Sequence, residues 1–494
     1  MSRRRHALVA LAAAAAVGAS CLVAGCGGDG AAASWALPNA DVSGTRSVSG
    51  GAIDADTVGR LQPLWRFRLS GRPGDAGIFA STPVADDDTV YVQDLRSDVF
   101  ALERSTGRVR WERRFAAPNG GPNGLAVDRG RVYGATDADA FALSADTGAV
   151  LWRRHLTSRD EQLVDVAPLP WHDLVFLSTI GYPPYGRGTI YALDASTGRI
   201  RWRFGTVAKP WPHPLHSGGG GLWYPVSVDD QGRLYGGSSN PGPWGGTPRF
   251  PNGSAFPGPV PYTDSLIVLD ARTGRLLWHD QVTPHDIRDQ DFEATPILAR
   301  VGGKDVVIGA GKAGRVIAWD RSTRRRLWSA AVGLHRNDVG PLPARRVTVC
   351  PGLFGGVETP MAYADGRVFV PVVDLCGWGS AVARQEVTEV DPSKGRGRLA
   401  ALDAASGKTV WEVRLPSPVF GCATVSNGVV FATTFDGLVY GFDVRDGRRL
   451  WRAPLRAGIN ACPAVVGDML VVGAGVPRSG GVTEVVAFGL AQPR

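Results

Sequence analysis

A hairpin ending in tryptophan recurs along this chain and limits the folds open to it. The segments "ALERSTGRVRW", "ALSADTGAVLW", "ALDASTGRIRW", "VLDARTGRLLW", "AWDRSTRRRLW", "ALDAASGKTVW" and "GFDVRDGRRLW" end at Trp111, Trp152, Trp202, Trp278, Trp328, Trp411 and Trp451. Each reads as an apolar strand, a turn of the D-x-x-T-G type and a second strand carrying the tryptophan. In such a turn Asp or Ser caps the bend, Gly accepts a positive φ, and the flanks alternate as strands do. "LQPLWRFRL" adds a tryptophan strand at Trp65 without its preceding half, and "VVAFGL" near the C-terminus is that half without a tryptophan. The two ends of the chain thus hold the two parts of one unit. Units of roughly 40–50 residues built from four short strands predict an all-β, eight-bladed β-propeller. The N-terminal strand then completes the last blade and closes the ring, removing an exposed sheet edge. The tryptophans dock neighbouring blades, where a large flat side chain buries most apolar area. With 65 Gly, 35 Pro and 44% hydrophobic residues in 494, the composition suits short strands, tight turns and a large core.

The first residues, "MSRRRHALVALAAAAAVGASCLVAGC", combine three arginines with an apolar run too short and Ala-rich to be kept as a spanning helix. The "VAG-C" ending resembles a bacterial lipobox, which makes Cys26 the candidate lipidation site; ordinary signal cleavage nearby is the plainer alternative. The expected division is a signal peptide over 1–25, a tether and lead-in over 26–60 and the propeller over 61–494. That reading exports the protein and anchors it by lipid on the outer face of the bacterial membrane, in the periplasm or at the cell surface. Oxidising surroundings suit Cys350, Cys376, Cys422 and Cys462, an even number compatible with two disulfides. The net charge of +8 comes mostly from scattered arginines, not from a run. Nucleic acid is therefore not the expected partner.

Two intervals, Trp202 to Trp278 and Trp328 to Trp411, exceed a normal blade by roughly thirty residues, and insertions of this kind usually carry the function. Between them lies "TPHDIRDQDFEATP", Thr283–Pro296, with His285, Asp286, Asp289, Asp291 and Glu293. A lone D-x-D is ordinarily a solvated turn. Two carboxylates two positions apart on an extended stretch nevertheless project to one side and can share a cation. His213, His216 and His285 fit either ligands or hydrogen-bonded turn residues.

The eightfold tryptophan repeat resembles the quinoprotein alcohol dehydrogenases, which hold pyrroloquinoline quinone (PQQ) at the centre of an eight-bladed propeller. The lead-in "SWALPNADVSGTRSVSGGAIDADTVGRLQPLWRF" is similar to that family's. "GGGGLWYPVSVDD" looks like the segment whose tryptophan, here Trp223, forms the floor under the quinone. "GGSSNPGPWGG" matches the segment supplying a metal-binding asparagine, here Asn240. "TPHDIRDQDF" looks like T-P-H-D-x-W-D-x-D, with Arg288 where tryptophan is usual. By that resemblance Asp289 is the catalytic base, and Asp291 is the extra carboxylate of lanthanide-using members. "AGKAGRVIAWDR" resembles the segment whose basic residue, here Lys312, touches the quinone. The implied metal, Ca²⁺ or a lanthanide, is held by Asn240, Asp289 and Asp291. Cys350 and Cys376 fall where some members carry a disulfide, and a Cys422–Cys462 bridge would tie adjacent blades.

The implied chemistry needs a base for the hydroxyl proton, a Lewis acid at the quinone carbonyl and a flat pocket. The implied partners are an alcohol-type substrate and, since no C-x-x-C-H occurs for a built-in haem, a separate electron acceptor. The family's vicinal cysteines and its quinone-pairing arginine have no counterpart in "APNGGPNGLAVDRG". Its third-blade metal glutamate is replaced in "STIGYPPYGRG", and Glu358 in "GGVETP" replaces a usual neighbour. The alternative function is a non-catalytic propeller lipoprotein, either a protein-assembly scaffold or a small-molecule binding protein.

Overall fold

Val84–Ala85, Thr89–Gln93, Val99–Glu103 and Val109–Arg113 pair in chain order as an antiparallel meander. The two middle strands are almost wholly buried, whereas the outer one carries charge on its exposed positions. Among the described residues of the computed structural model, eight sheets contain such a four-strand meander. The structure describes residues 35–71, 77–158, 161–182, 186–208, 218–242, 244–255 and 258–490. Cys26, His213 and His216 lie outside them.

The meanders form a ring. The short first strand of one sheet touches the first strand of the next, as Val84–Ala85 does with Ala126–Asp128 on one side and Ala464–Val466 on the other. Closure comes where the sequence places it. Leu61–Arg68 pairs antiparallel with Glu484–Leu490, from Leu61 opposite Leu490 to Arg68 opposite Glu484. Strands from near both ends of the described chain thereby share one sheet, with Leu61–Arg68 as its outer strand.

The lead-in is no free tether from residue 35 onward. Its carbonyls at Trp35, Ala36, Val42, Ser43, Thr45 and Arg46 accept from Ala85, Val127, Val228, Leu298, Tyr363 and Val425, which belong to the first strands of six sheets. Arg46 is fully buried, and its guanidinium reaches Ala423 O, Pro38 O, Asn39 Oδ1, Thr424 Oγ1 and Pro463 O. Those acceptors are neutral, and burial lowers its pKa to about 9.

The tryptophans dock neighbouring sheets as expected. Seven indole N–H groups donate to a backbone carbonyl of the next sheet at 2.8–3.3 Å: Trp65 to Arg104, Trp111 to Ala145, Trp152 to Ala195, Trp202 to Ala271, Trp328 to Ala404, Trp411 to Val444 and Trp451 to Leu61. The turn glycine is what lets the ring approach. At Gly148, with φ 67°, an added Cβ would lie 2.5 Å from Trp111. The turn facing Trp278 carries Arg324 at that position, with φ 61°, and among the described residues Trp278 makes no such indole bond. The disulfides Cys350–Cys376 and Cys422–Cys462 both form, with Cα separations of 4.5 and 4.7 Å.

Left-handed backbone at a non-glycine residue costs on the order of 1–3 kcal/mol. Arg324→Gly should therefore raise the thermal midpoint, while Gly148→Ala should destabilise by about 1–3 kcal/mol through overpacking against Trp111. Thermal unfolding of the two single variants checks both signs, and a lower midpoint for Arg324→Gly would refute the account of the missing indole bond.

Candidate active site

The turn Thr283–Pro296 connects the outer strand Leu276–Gln281 to the first strand Ile297–Val301 of the next sheet. Its shape follows from its own side chains. Asp286 accepts from Arg288 N and Gln290 N, both at 2.7 Å, so this carboxylate holds the bend. Arg288 reaches outward to Asn337 O and Gly340 O, and Gln290 to Asp338 O. Beyond the bend the chain alternates. Phe292 packs into a hydrophobic cluster against Trp319, while Asp289 and Asp291 both turn to Lys312. Gly311 permits the close approach of the lysine's strand, because a Cβ there would sit 2.0 Å from Asp291 O.

Four carboxylate oxygens meet four donor contacts. Asp289 accepts from Asn240 Nδ2 at 2.6 Å and lies 2.9 Å from Lys312 Nζ. Asp291 accepts from Asn240 N at 2.6 Å and lies 2.7 Å from the same Nζ. Side-chain exposure separates the two acids: 15% at Asp289 against 1% at Asp291. Asp289 is thus the more accessible of the two. Burial pushes its carboxyl above the ordinary range although Lys312 pulls the other way. For Lys312, burial acts downward, but Asp289 and Asp291 outweigh it and hold the ammonium well above its usual value.

More acids surround this core than its lysine can pair. Burial drives Glu293 well above the carboxylate range and Glu358 to about 8, and each keeps an oxygen shielded and unpartnered. Asp264 is fully buried with both oxygens unpartnered; burial, then Asp286, Asp291 and Asp289, pushes it well upward. Of these, Glu293 was legible as the third acid at a period of two, while Asp264 carried no local signal.

Trp223 joins the site through backbone. Gly218–Gly219 pairs with Pro241–Gly242, Gly220 N donates to Asn240 O, and Ser239 N donates to Gly221 O. The glycine run thereby lies beside Asn240, and Trp223 follows it, half-buried with its indole nitrogen shielded and unpartnered. His285 is a hydrogen-bonded turn residue: its Nε2 bonds Asn252 O at 2.9 Å. Asn252 also bonds Leu342 and Ala381, so the two long insertions clasp each other above the turn. Between them lies a cavity of about 340 Å³, lined by Trp244, Thr247, Phe250, Arg384 and Glu386 among others.

The wall built by the early blades differs in kind. Asn123 donates to Asp94 O and leaves its own Oδ1 unpartnered. Asp165 is fully buried with both oxygens unpartnered, and burial raises it to about 7. A signal for it existed: "DVAP" and "EATP" place Asp165 and Glu293 three residues before the proline that opens a first strand.

The residues fit a flat polar ring system. The indole of Trp223, the Thr359 hydroxyl and the carboxyls of Glu293 and Glu358 all await partners. They do not fit the expected Ca²⁺ or lanthanide. Asn240, Asp289 and Asp291 do converge, but Lys312 Nζ stands between the carboxylates. Among the described residues no three Asp, Glu, His or Cys side chains lie close enough to hold a metal ion. The three expected ligands, Asn240, Asp289 and Asp291, are thus brought together, with Lys312 Nζ among them.

A profile described as the glucose/ethanol/alcohol dehydrogenase β-propeller domain matches residues 173–370. One described as outer membrane protein assembly factor BamB matches 51–210 and 346–488. The chain is 28% identical over 505 aligned residues to the quinohemoprotein alcohol dehydrogenase of Comamonas testosteroni, covering 87% of this chain and 70% of that one. It is 25% identical to the lanthanide-dependent methanol dehydrogenase of Methylacidiphilum fumariolicum, over 87% and 82% of the two chains. The crystal structure of the Comamonas enzyme superposes with a TM-score of 0.80 at 24% identity, covering 94% of this chain and 82% of that one.

Asp165 ties stability to pH. The folded chain keeps this proton up to about pH 7, whereas an unfolded chain releases it near pH 4. The stability it contributes is present below that window and is lost as pH rises through it. Between about pH 5 and 8 the thermal midpoint should fall less in Asp165→Asn than in wild type, and parallel curves would refute the assignment.

Proposed function

The chain belongs to the PQQ-dependent alcohol dehydrogenase-like family of β-propellers, and from that premise we propose that it oxidises an alcohol with PQQ as its cofactor. The observation that carries the reading is the Asn240–Asp289–Lys312–Asp291 cluster, an ordered set of buried charges at one end of the ring. It lies wholly within the segment that matches the dehydrogenase profile. A docking scaffold has no use for charges kept from water at such cost.

PQQ, when bound, supplies the two-electron acceptor that an alcohol needs to become a carbonyl compound. Trp223 would hold the ring by its indole, and Thr359, Glu358 and Glu293, each with an unpartnered buried polar atom, would bond its polar groups. Asp289 is the base. Its two oxygens are held by Asn240 and Lys312, it is the more exposed of the two acids, and its raised pKa brings it toward neutrality, where a general base works best. The Lys312 ammonium stays charged throughout and steadies negative charge beside the base. Asp291, deeper and bonded to Asn240 N, fixes the lysine in place. The cavity between the insertions is the proposed approach for substrate. Export behind the N-terminal signal, lipid attachment at Cys26 and electron delivery to a separate acceptor complete the reading; the "LVAGC" ending and the absence of C-x-x-C-H support them.

The purified protein, given PQQ with and without Ca²⁺ or La³⁺, should reduce an artificial dye with at least one alcohol of a panel. Asp289→Asn should lower kcat by about 10²–10⁴-fold while keeping the thermal shift caused by PQQ, and Trp223→Ala should lose that shift. A scaffold predicts no shift, no turnover and no effect of Asp289→Asn.

A further inference from the structure

We infer that Lys312 Nζ occupies the cation position of this site, and that the chain binds its quinone without a metal ion. The inference rests on the quinone reading and is tested apart from it. Asp289 and Asp291 present four oxygens, and each already meets a donor: Asn240 Nδ2 and Lys312 Nζ on one acid, Asn240 N and the same Nζ on the other. One of these donors is a backbone N–H, which no rotamer change withdraws. A calcium-class ion takes six to eight oxygens at about 2.3–2.6 Å. Here it would find two spent carboxylates and no third, since no three acidic, His or Cys side chains converge among the described residues.

The lysine is also locked where it stands. Lys312 N donates to Asp291 O at 2.9 Å, so the backbone of the lysine is tied to the acid its side chain serves. Gly311 packs against that same carbonyl, and a Cβ at Gly356 would lie 2.2 Å from Lys312 O. Backbone thus closes on Lys312 from two sides, and its side chain is 8% exposed. A metal ion entering this space must expel an ammonium held by two buried carboxylates, whose attraction is stronger in a low-dielectric interior than in water. With the lysine left in place, a fixed positive charge already stands at the base. That is the electrostatic task a metal performs in such chemistry, done by a side chain.

Full-length protein expressed with Ca²⁺ and La³⁺ present and gel-filtered without chelator should carry substoichiometric metal by inductively coupled plasma mass spectrometry. Its thermal shift with PQQ should survive EDTA. Lys312→Met, which keeps the length and removes the charge, should gain Tb³⁺ affinity by about tenfold or more, read by luminescence. Stoichiometric metal in the wild type, an EDTA-sensitive PQQ shift, or a folded Lys312→Met with no gain in Tb³⁺ affinity would each overturn the inference. If that variant does not fold, the two wild-type measurements decide. Loss of any PQQ shift under every metal condition sinks the quinone reading instead, and the metal content then decides this one alone.

Discussion

Pairing of the first strand with the last is the constraint on which the rest of this molecule depends. Leu61–Arg68 must find Glu484–Leu490 across the whole sequence, so the ring forms as one object or leaves an edge open. A twisted sheet repeated around an axis brings its short first strands together at the centre. Everything placed just before those strands is thereby carried to the axis. Asp165, Glu293 and Glu358 all stand there, contributed by three different sheets. The tryptophans secure that geometry from outside. Each indole bond fixes one sheet against the next, and the Trp451–Leu61 bond repeats across the closure what the other six do elsewhere.

Convergence on an axis makes buried charge unavoidable once acids occupy those positions. An unpaired buried carboxylate is costly, and a group in that position neutralises where it finds no partner. Both outcomes occur within one cluster. Asp289 and Asp291 are paired by Lys312 and Asn240, whereas Glu293, Glu358 and Asp264 find no such partners and are pushed far up by burial. Removing the lysine would leave two carboxylates to compete for the same relief. The charge of Lys312 is therefore what keeps these two acids paired.

The parts of this arrangement that were legible in the sequence are those written by local periodicity. The tryptophan and turn spacings announced the sheets and their number, and the D-x-D spacing announced two acids on one side. Both work because strand period and turn chemistry are properties of neighbouring residues. Asp264 was not legible, since only the return of its loop to Ser239 brings it to the centre. Nor was the clasp at Asn252, which joins Leu342 and Ala381 across some ninety and more residues. The resemblance to a known family named a metal because Asn240 and the two aspartates match its ligands one by one. Where Lys312 reaches is a matter of distance and not of residue identity, so its place between the two acids was not legible.

The two ends of the axis are unlike, and that difference orients the chemistry. The lead-in bonds to the first strands at Val228, Leu298, Tyr363 and Val425, while the site residues Trp223, Asp289, Asp291 and Glu358 all precede those strands in the chain. Tyr224 lies between the two sets, its pKa raised by burial, then by Glu293 and Glu358, and lowered by Arg46 and Lys312. Arg46 and its neutral acceptors thus plug one end. The other end is roofed by the two long insertions, with the cavity at Trp244 and Arg384 between them. Of the two paired acids, Asp289 is the more exposed and Asp291 the deeper. That difference in exposure, more than side-chain identity, separates two aspartates that share Lys312 and Asn240.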